Sequence, residues 1–172
     1  MASLVRPLRS FGACYKLLVV GSLGCGKNAF VCALKGESPP LTHVPTLGAE
    51  LHQIEAALHG DACELRVWNC GGHERFRPLI QWDEVDGVFI VVDGMSLMSL
   101  HQASFYYQEV RRTCSEAAVV LVVNKTDGDS AFGAAELAEA HLDHLPAVHC
   151  AARLAKHTDA ALQAMLAALP KK

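Results

Sequence analysis

Two short polar segments in this chain have the residue types and spacing to do chemistry. The first is Gly21-Ser22-Leu23-Gly24-Cys25-Gly26-Lys27-Asn28, between an apolar run and a helical stretch that takes in Ala29. It fits GxxxxGK and departs where a Ser or Thr should close the motif. Glycines at this spacing let backbone N–H groups converge on phosphate oxygens with no Cβ in the way. The helix start adds partial positive charge, and Lys27 adds a full charge for the outer phosphates. The second segment is Asn124-Lys125-Thr126-Asp127, an NKxD sequence at the end of another apolar run. A carboxylate there accepts hydrogen bonds from N1–H and N2–H₂ of guanine. Adenine lacks that donor pair, and losing both bonds discriminates strongly. Lys125 is expected to lay its stem along the base plane and brace the phosphate loop with its head.

These segments need a scaffold that brings them to one edge. Residues 15–20, 87–92 and 117–123 are short, apolar and rich in β-branched side chains, as in parallel strands buried on both faces. Residues 51–58 and 63–68 read as two further strands joined by a turn at His59-Gly60-Asp61. Residues 147–149 read as a short last strand. Helices are expected over 27–34, 99–114, 133–142 and 158–169, with Ser38-Pro39-Pro40 breaking the first. The implied order, β-α-β-β-α-β-α-β-α-β-α, indicates an α/β fold. Its sheet is mostly parallel and carries helices on both faces. Such sheets bind ligands beyond the carboxyl ends of their strands, where both polar segments fall.

Size and composition narrow the function classes. With 172 residues the chain makes one domain. We expect a flexible extension over residues 1–14 and the domain over 15–170. The first sixteen residues are basic and acid-free, so a mitochondrial presequence is the alternative for that extension. A net charge of −3 without a long basic run argues against a nucleic-acid partner. Seven cysteines, without paired CxxC spacing, suit a reducing compartment. His141 and His144, read as sharing a helix face, make at most half a metal site. Phe105, Tyr106, Tyr107 and Val110 read as core and partner-facing positions of one helix.

Two more segments complete a pattern. Val44-Pro45-Thr46-Leu47-Gly48-Ala49-Glu50 precedes the second strand, and Trp68-Asn69-Cys70-Gly71-Gly72-His73-Glu74 follows the third. With the two polar segments they resemble, in order and spacing, the motifs of Ras-superfamily small GTPases across about residues 15–169. The resemblance implies a P-loop NTPase small G-domain with a six-stranded sheet. Within the superfamily, residues 46–52 and Val67-Trp68 look most like Ran, with Arf-like proteins second and Rab third. The resemblance implies GTP and GDP as ligands, with Mg²⁺ beside the phosphates. Asn28, Thr46 and Asn69 would stand at the metal, Gly72 would donate its N–H to the last phosphate, and His73 would stand where a glutamine orients water. Ala151-Ala152-Arg153 resembles the SAK element, whose backbone N–H, here that of Ala152, reaches the base oxygen. Ran-type exchange factors, import receptors or effectors would be the partners. The resemblance also implies a monomer without a lipid anchor, in nucleus and cytoplasm.

The departures from the pattern bear on chemistry. Asn28 and Asn69 remove both usual side-chain supports of Mg²⁺, so the ion should bind weakly. Leu23 should crowd the attacking water, and His73 cannot offer an amide's paired donor and acceptor. Ser38 stands where an aromatic lid over the base is usual. The resulting expectation is a nucleotide-dependent protein-binding switch with impaired hydrolysis. Two alternatives stay open. One is a pseudo-GTPase scaffold or decoy for GTPase regulators. The other is a working enzyme whose His and Asn residues have adapted roles.

Overall fold

The computed structural model describes residues 12–42 and 45–172. Most of the expected extension, and Val44, lie outside these residues. The strands are β1 (Ala13–Val20), β2 (Ala49–Leu58), β3 (Asp61–Cys70), β4 (Gly87–Asp93), β5 (Ala118–Asn124) and β6 (Ala147–His149). The α-helices are α1 (Lys27–Leu34), α2 (Leu97–Thr113), α3 (Ala134–Glu139) and α4 (Thr158–Ala168). The sheet runs β2-β3-β1-β4-β5-β6. Only β2, at the edge, is antiparallel to its neighbour. The α/β class and the mostly parallel six-stranded sheet are as expected.

Alternation along the buried strands feeds two cores. Leu17, Val19, Phe89, Val91, Val120 and Val122 face Phe30 of α1 and Met165 of α4. Leu18, Val20, Val88, Ile90, Leu121 and Val123 face Leu100, Tyr106 and Val110 of α2. The central runs of β1, β4 and β5 are apolar because each face meets helices. Phe105 is half-exposed beside buried Tyr106.

Four expectations are corrected. Tertiary pairing lengthens the hairpin, since the ladder runs from Ala49 opposite Cys70 to Leu58 opposite Asp61. His59 and Gly60 alone make the turn, with φ of 53° and 91°. That is the double left-handed geometry of a two-residue hairpin. The helix expected between β3 and β4 is a short 3-10 helix, Glu74–Leu79, with Pro78 inside it. β1 begins at Ala13, two residues earlier than the apolar run suggested. Finally, α3 stops at Glu139, and His141 turns left-handed at φ 57°. The Leu142 N–H then reaches the Leu137 carbonyl at 2.9 Å and the His141 N–H reaches Ala138 at 3.0 Å. This cap buries Leu142 against the α2 side. His141 and His144 therefore share no helix face, and His144 Nε2 sits 2.7 Å from the Tyr107 hydroxyl. Among the described residues no group of three His, Cys, Asp or Glu could hold a metal.

Candidate functional site

The loops after β1, β3, β4, β5 and β6 meet at one edge of the sheet. There they enclose a cavity of about 600 Å³. At one end lie Gly24, Gly26, Lys27, Asn28 and Ala29, and at the other Asn124, Lys125, Asp127, Ala152 and Arg153. Residues 95 to 129 positions apart thus share one wall system, as the crevice rule for open α/β sheets requires.

The first loop is held from both sides. Gly26 has φ 97°, and a Cβ there would lie 2.2 Å from Asn124 Nδ2. The absent side chain lets Asn124 donate to the Cys25 carbonyl at 3.0 Å. Asn124 Oδ1 accepts from the Ala152 N–H, also at 3.0 Å. One amide at the end of β5 thereby ties the loop after β1 to the loop after β6. Lys27, only 6% exposed, donates to the carbonyls of Gly21 and Ser22 at 3.0 and 2.9 Å. Its ammonium curls over the loop, where phosphate oxygens could replace those carbonyls.

Several expected roles are redistributed. The Ala152 N–H is committed to Asn124 instead of being open to a base. Ala151 lies outside the cavity lining and makes a bridge with Lys156. Cys25 is fully buried behind the loop, where desolvation raises its thiol pKa. The stem of Lys125 passes Gly26, but its Nζ pairs with Asp93 at 2.6 Å instead of bracing the phosphate loop. Gly21 and Ser22 likewise serve through their carbonyls on Lys27. Ser22 also bonds Ser99 of α2 at 2.8 Å.

His73 is directed away from the cavity. Its Nδ1 accepts from the Arg75 N–H at 3.3 Å, capping the 3-10 helix. It lines a separate hollow of about 410 Å³ with Ser22, Glu74, Asp93 and Gln102. Leu23, 54% exposed, and Gly72 form the partition, lining both spaces. Gly72 is pressed against the loop: a Cβ there would lie 2.4 Å from Lys27 Nζ and 2.8 Å from the Leu23 nitrogen.

The three residues expected at a metal do converge, but on one another. Thr46 Oγ1 donates to Asn28 Oδ1 at 3.1 Å, and Asn69 Nδ2 donates to the same oxygen at 2.9 Å. Asn69 Nδ2 also lies 3.5 Å from Thr46 Oγ1.

Sequence reading missed Pro39, Pro40, Thr42, Pro45 and Met95, which wall the cavity. The proline run was read as a helix stop and as the place where an aromatic lid is missing. Asp93, the partner of Lys125, was visible as the one charged residue closing β4.

The Ras family pattern matches residues 16–171. The chain is 28% identical over 161 residues to the Ras-related protein RABD2b of Arabidopsis thaliana, covering 90% of this chain and 80% of that protein. It is also 28% identical over 116 residues to the Ras-related protein Rab-1D of Dictyostelium discoideum, covering 66% and 57%. A similar match reaches the Ras-related protein Rab-18 of Caenorhabditis elegans, at 28% over 116 residues. These relatives carry Rab names and lend nothing to the Ran-specific likeness.

Proposed function

The chain belongs to the Ras family of small GTPases, and from that premise we propose that it binds guanine nucleotide, hydrolyses GTP slowly and signals its nucleotide state through the segment after β3. The observation that carries this reading is the single cavity with Lys27 at one end and Asp127 at the other. Three basic side chains line it, those of Lys27, Lys125 and Arg153, against one acidic group, that of Asp127. Such a balance suits a base gripped by one carboxylate and phosphates gripped by cations.

Gly72 supports the signalling part. It stands against Lys27, where a terminal phosphate would seek the same ammonium. A diphosphate needs less of that space. A triphosphate requires Gly72 to withdraw, and the 3-10 helix Glu74–Leu79 follows it. Slow hydrolysis follows from His73, whose Nδ1 is occupied and whose ring lies across the Leu23–Gly72 partition. Without a group to position water or neutralise developing charge, several orders of magnitude in rate are lost.

Regulators and effectors of the small-GTPase kind are the partners this reading implies. The narrower likeness to Ran, with import receptors and a nuclear and cytoplasmic distribution, rests on short matches at residues 15–17, 30–31, 36–37, 46–52 and 67–68. A nucleotide-poor scaffold is the second reading, favoured by the commitment of the Ala152 N–H to Asn124. Calorimetry with GDP, GTP and ADP, followed by single-turnover GTP hydrolysis, tests the proposal. We expect both guanine nucleotides to bind, ADP to bind at least about 100-fold more weakly, and turnover to be slower than about 10⁻⁴ s⁻¹. Binding of neither guanine nucleotide would hand the case to the scaffold.

A further inference from the structure

The residues at the expected metal position do not fit a divalent cation. Asn28, Thr46 and Asn69 are all neutral, so they bring a hard dication none of the carboxylate charge that usually anchors it. The Asn28 oxygen already accepts two hydrogen bonds. Asn69 turns its NH₂, and not its oxygen, toward Asn28 and Thr46. Its Oδ1 is left buried without a hydrogen-bond partner. Flipping that amide to offer the oxygen would set two carbonyl oxygens face to face and bury the NH₂ unpaired. Lys27 lies one residue from Asn28, so an added dication would also meet like charge, and among the described residues the only carboxylate lining the cavity is Asp127 at the far end.

We propose that this amide–hydroxyl cluster takes over the mechanical part of a metal ion, so that nucleotide is held, and the segment 45–48 docked, without Mg²⁺. The inference rests on the nucleotide reading above. The three partners come from three places: Asn28 from α1, Thr46 from the loop before β2, and Asn69 from the end of β3. They are 18 and 41 residues apart in the chain. A metal ion would join these segments through its coordination shell, whereas here direct hydrogen bonds join them. The docking is reinforced by the Gly71 N–H on the Gly48 carbonyl at 2.7 Å. Thr46 is buried as a result, while Leu47 and Leu51 remain exposed beside it. The segment before β2 is therefore latched in place whatever the divalent cation concentration, and nucleotide state is read through Gly72 alone.

The test measures GDP affinity by calorimetry in excess Mg²⁺ and in EDTA, for the unmodified protein and for the Asn28→Ser/Asn69→Asp double variant. The unmodified protein should show affinities equal within about threefold. The double variant, given back a hydroxyl and a carboxylate, should bind more than about tenfold tighter with Mg²⁺. If the unmodified protein gains tenfold or more from Mg²⁺, the inference falls while the nucleotide reading stands. If GDP fails to bind in both buffers, the nucleotide reading falls and the inference with it. Hydrogen exchange supplies an independent readout. Thr46→Val removes the hydroxyl donor at nearly constant shape and should speed amide exchange at residues 46–48 about tenfold, with or without Mg²⁺. Unchanged exchange there would overturn the latch.

Discussion

Asp127 and Gly72 mark the two ends of what single residues do in this site. Asp127 is solvent-exposed, makes no hydrogen bond or ion pair among the described residues, and lines the end of the cavity proposed to take the base. Truncating it should cost binding and spare stability. Asp127→Ala removes two charge-assisted hydrogen bonds, together about 3 kcal/mol or more. Calorimetry should therefore show GDP affinity falling at least about 100-fold, with an unchanged thermal melt. Gly72→Ala should cost both stability and binding. Its new Cβ would meet the Ser22 carbonyl at 2.7 Å and the Leu23 nitrogen at 2.8 Å, and backbone there cannot step aside as a side-chain tip can. A urea melt should show a loss of about 1–3 kcal/mol, the usual cost of overpacking, alongside weaker phosphate binding. Lys27 and Asp127 were legible from the chain because their motifs are local. Pro39 and Met95 were not, because nothing near them in sequence marks the cavity they reach.

At the scale of elements, caps and close approaches decide where helices begin and how they sit. Ser96 opens α2 by accepting the Ser99 N–H at 3.2 Å. It starts the helix that packs on one face of the sheet through Leu100, Ala103, Tyr106 and Val110. Ser96→Ala should cost about 1 kcal/mol of stability, the ordinary value of an N-cap, seen as a lower urea midpoint with an unchanged slope. The strands were readable from their apolar runs, and their ends shifted by one or two residues because pairing, not composition, sets the ladder. The end of α3 was misread because His141 takes a left-handed cap usually given to glycine. Only the burial of Leu142 against the second core makes that conformation worthwhile.

For the molecule as a whole, two apolar cores on either side of one sheet make the fold sensitive to alkali. Burial pushes the thiols of Cys70 and Cys150 from an ordinary 9.0 up to about 11. Below pH 9 both states keep these thiols protonated, and nothing is lost. Between pH 9 and 11 the unfolded chain ionises them while the fold does not, so stability must fall as pH rises. A shift of about two units corresponds to roughly 2–3 kcal/mol per thiol once pH passes the folded value. Denaturant melts from pH 8 to 11 should show this decline. Substituting Cys70→Ala should flatten it, and an unaltered slope in that variant would refute the assignment.

The order of the strands, the buried faces and the residues at the two ends of the cavity were decided by the sequence alone. Period-two and helical patterns, glycine spacing and one carboxylate are properties of neighbouring residues. What the amides do was decided by the tertiary structure. An asparagine can donate or accept, and its neighbours in space choose which. Asn28 became an acceptor for Thr46 and Asn69, and Asn124 a strut between Cys25 and Ala152, because folding brought to them groups from 18 to 99 residues away. A linear motif names the residue type at such a position, but the hydrogen-bonding partner that sets its role arrives only when distant segments pack.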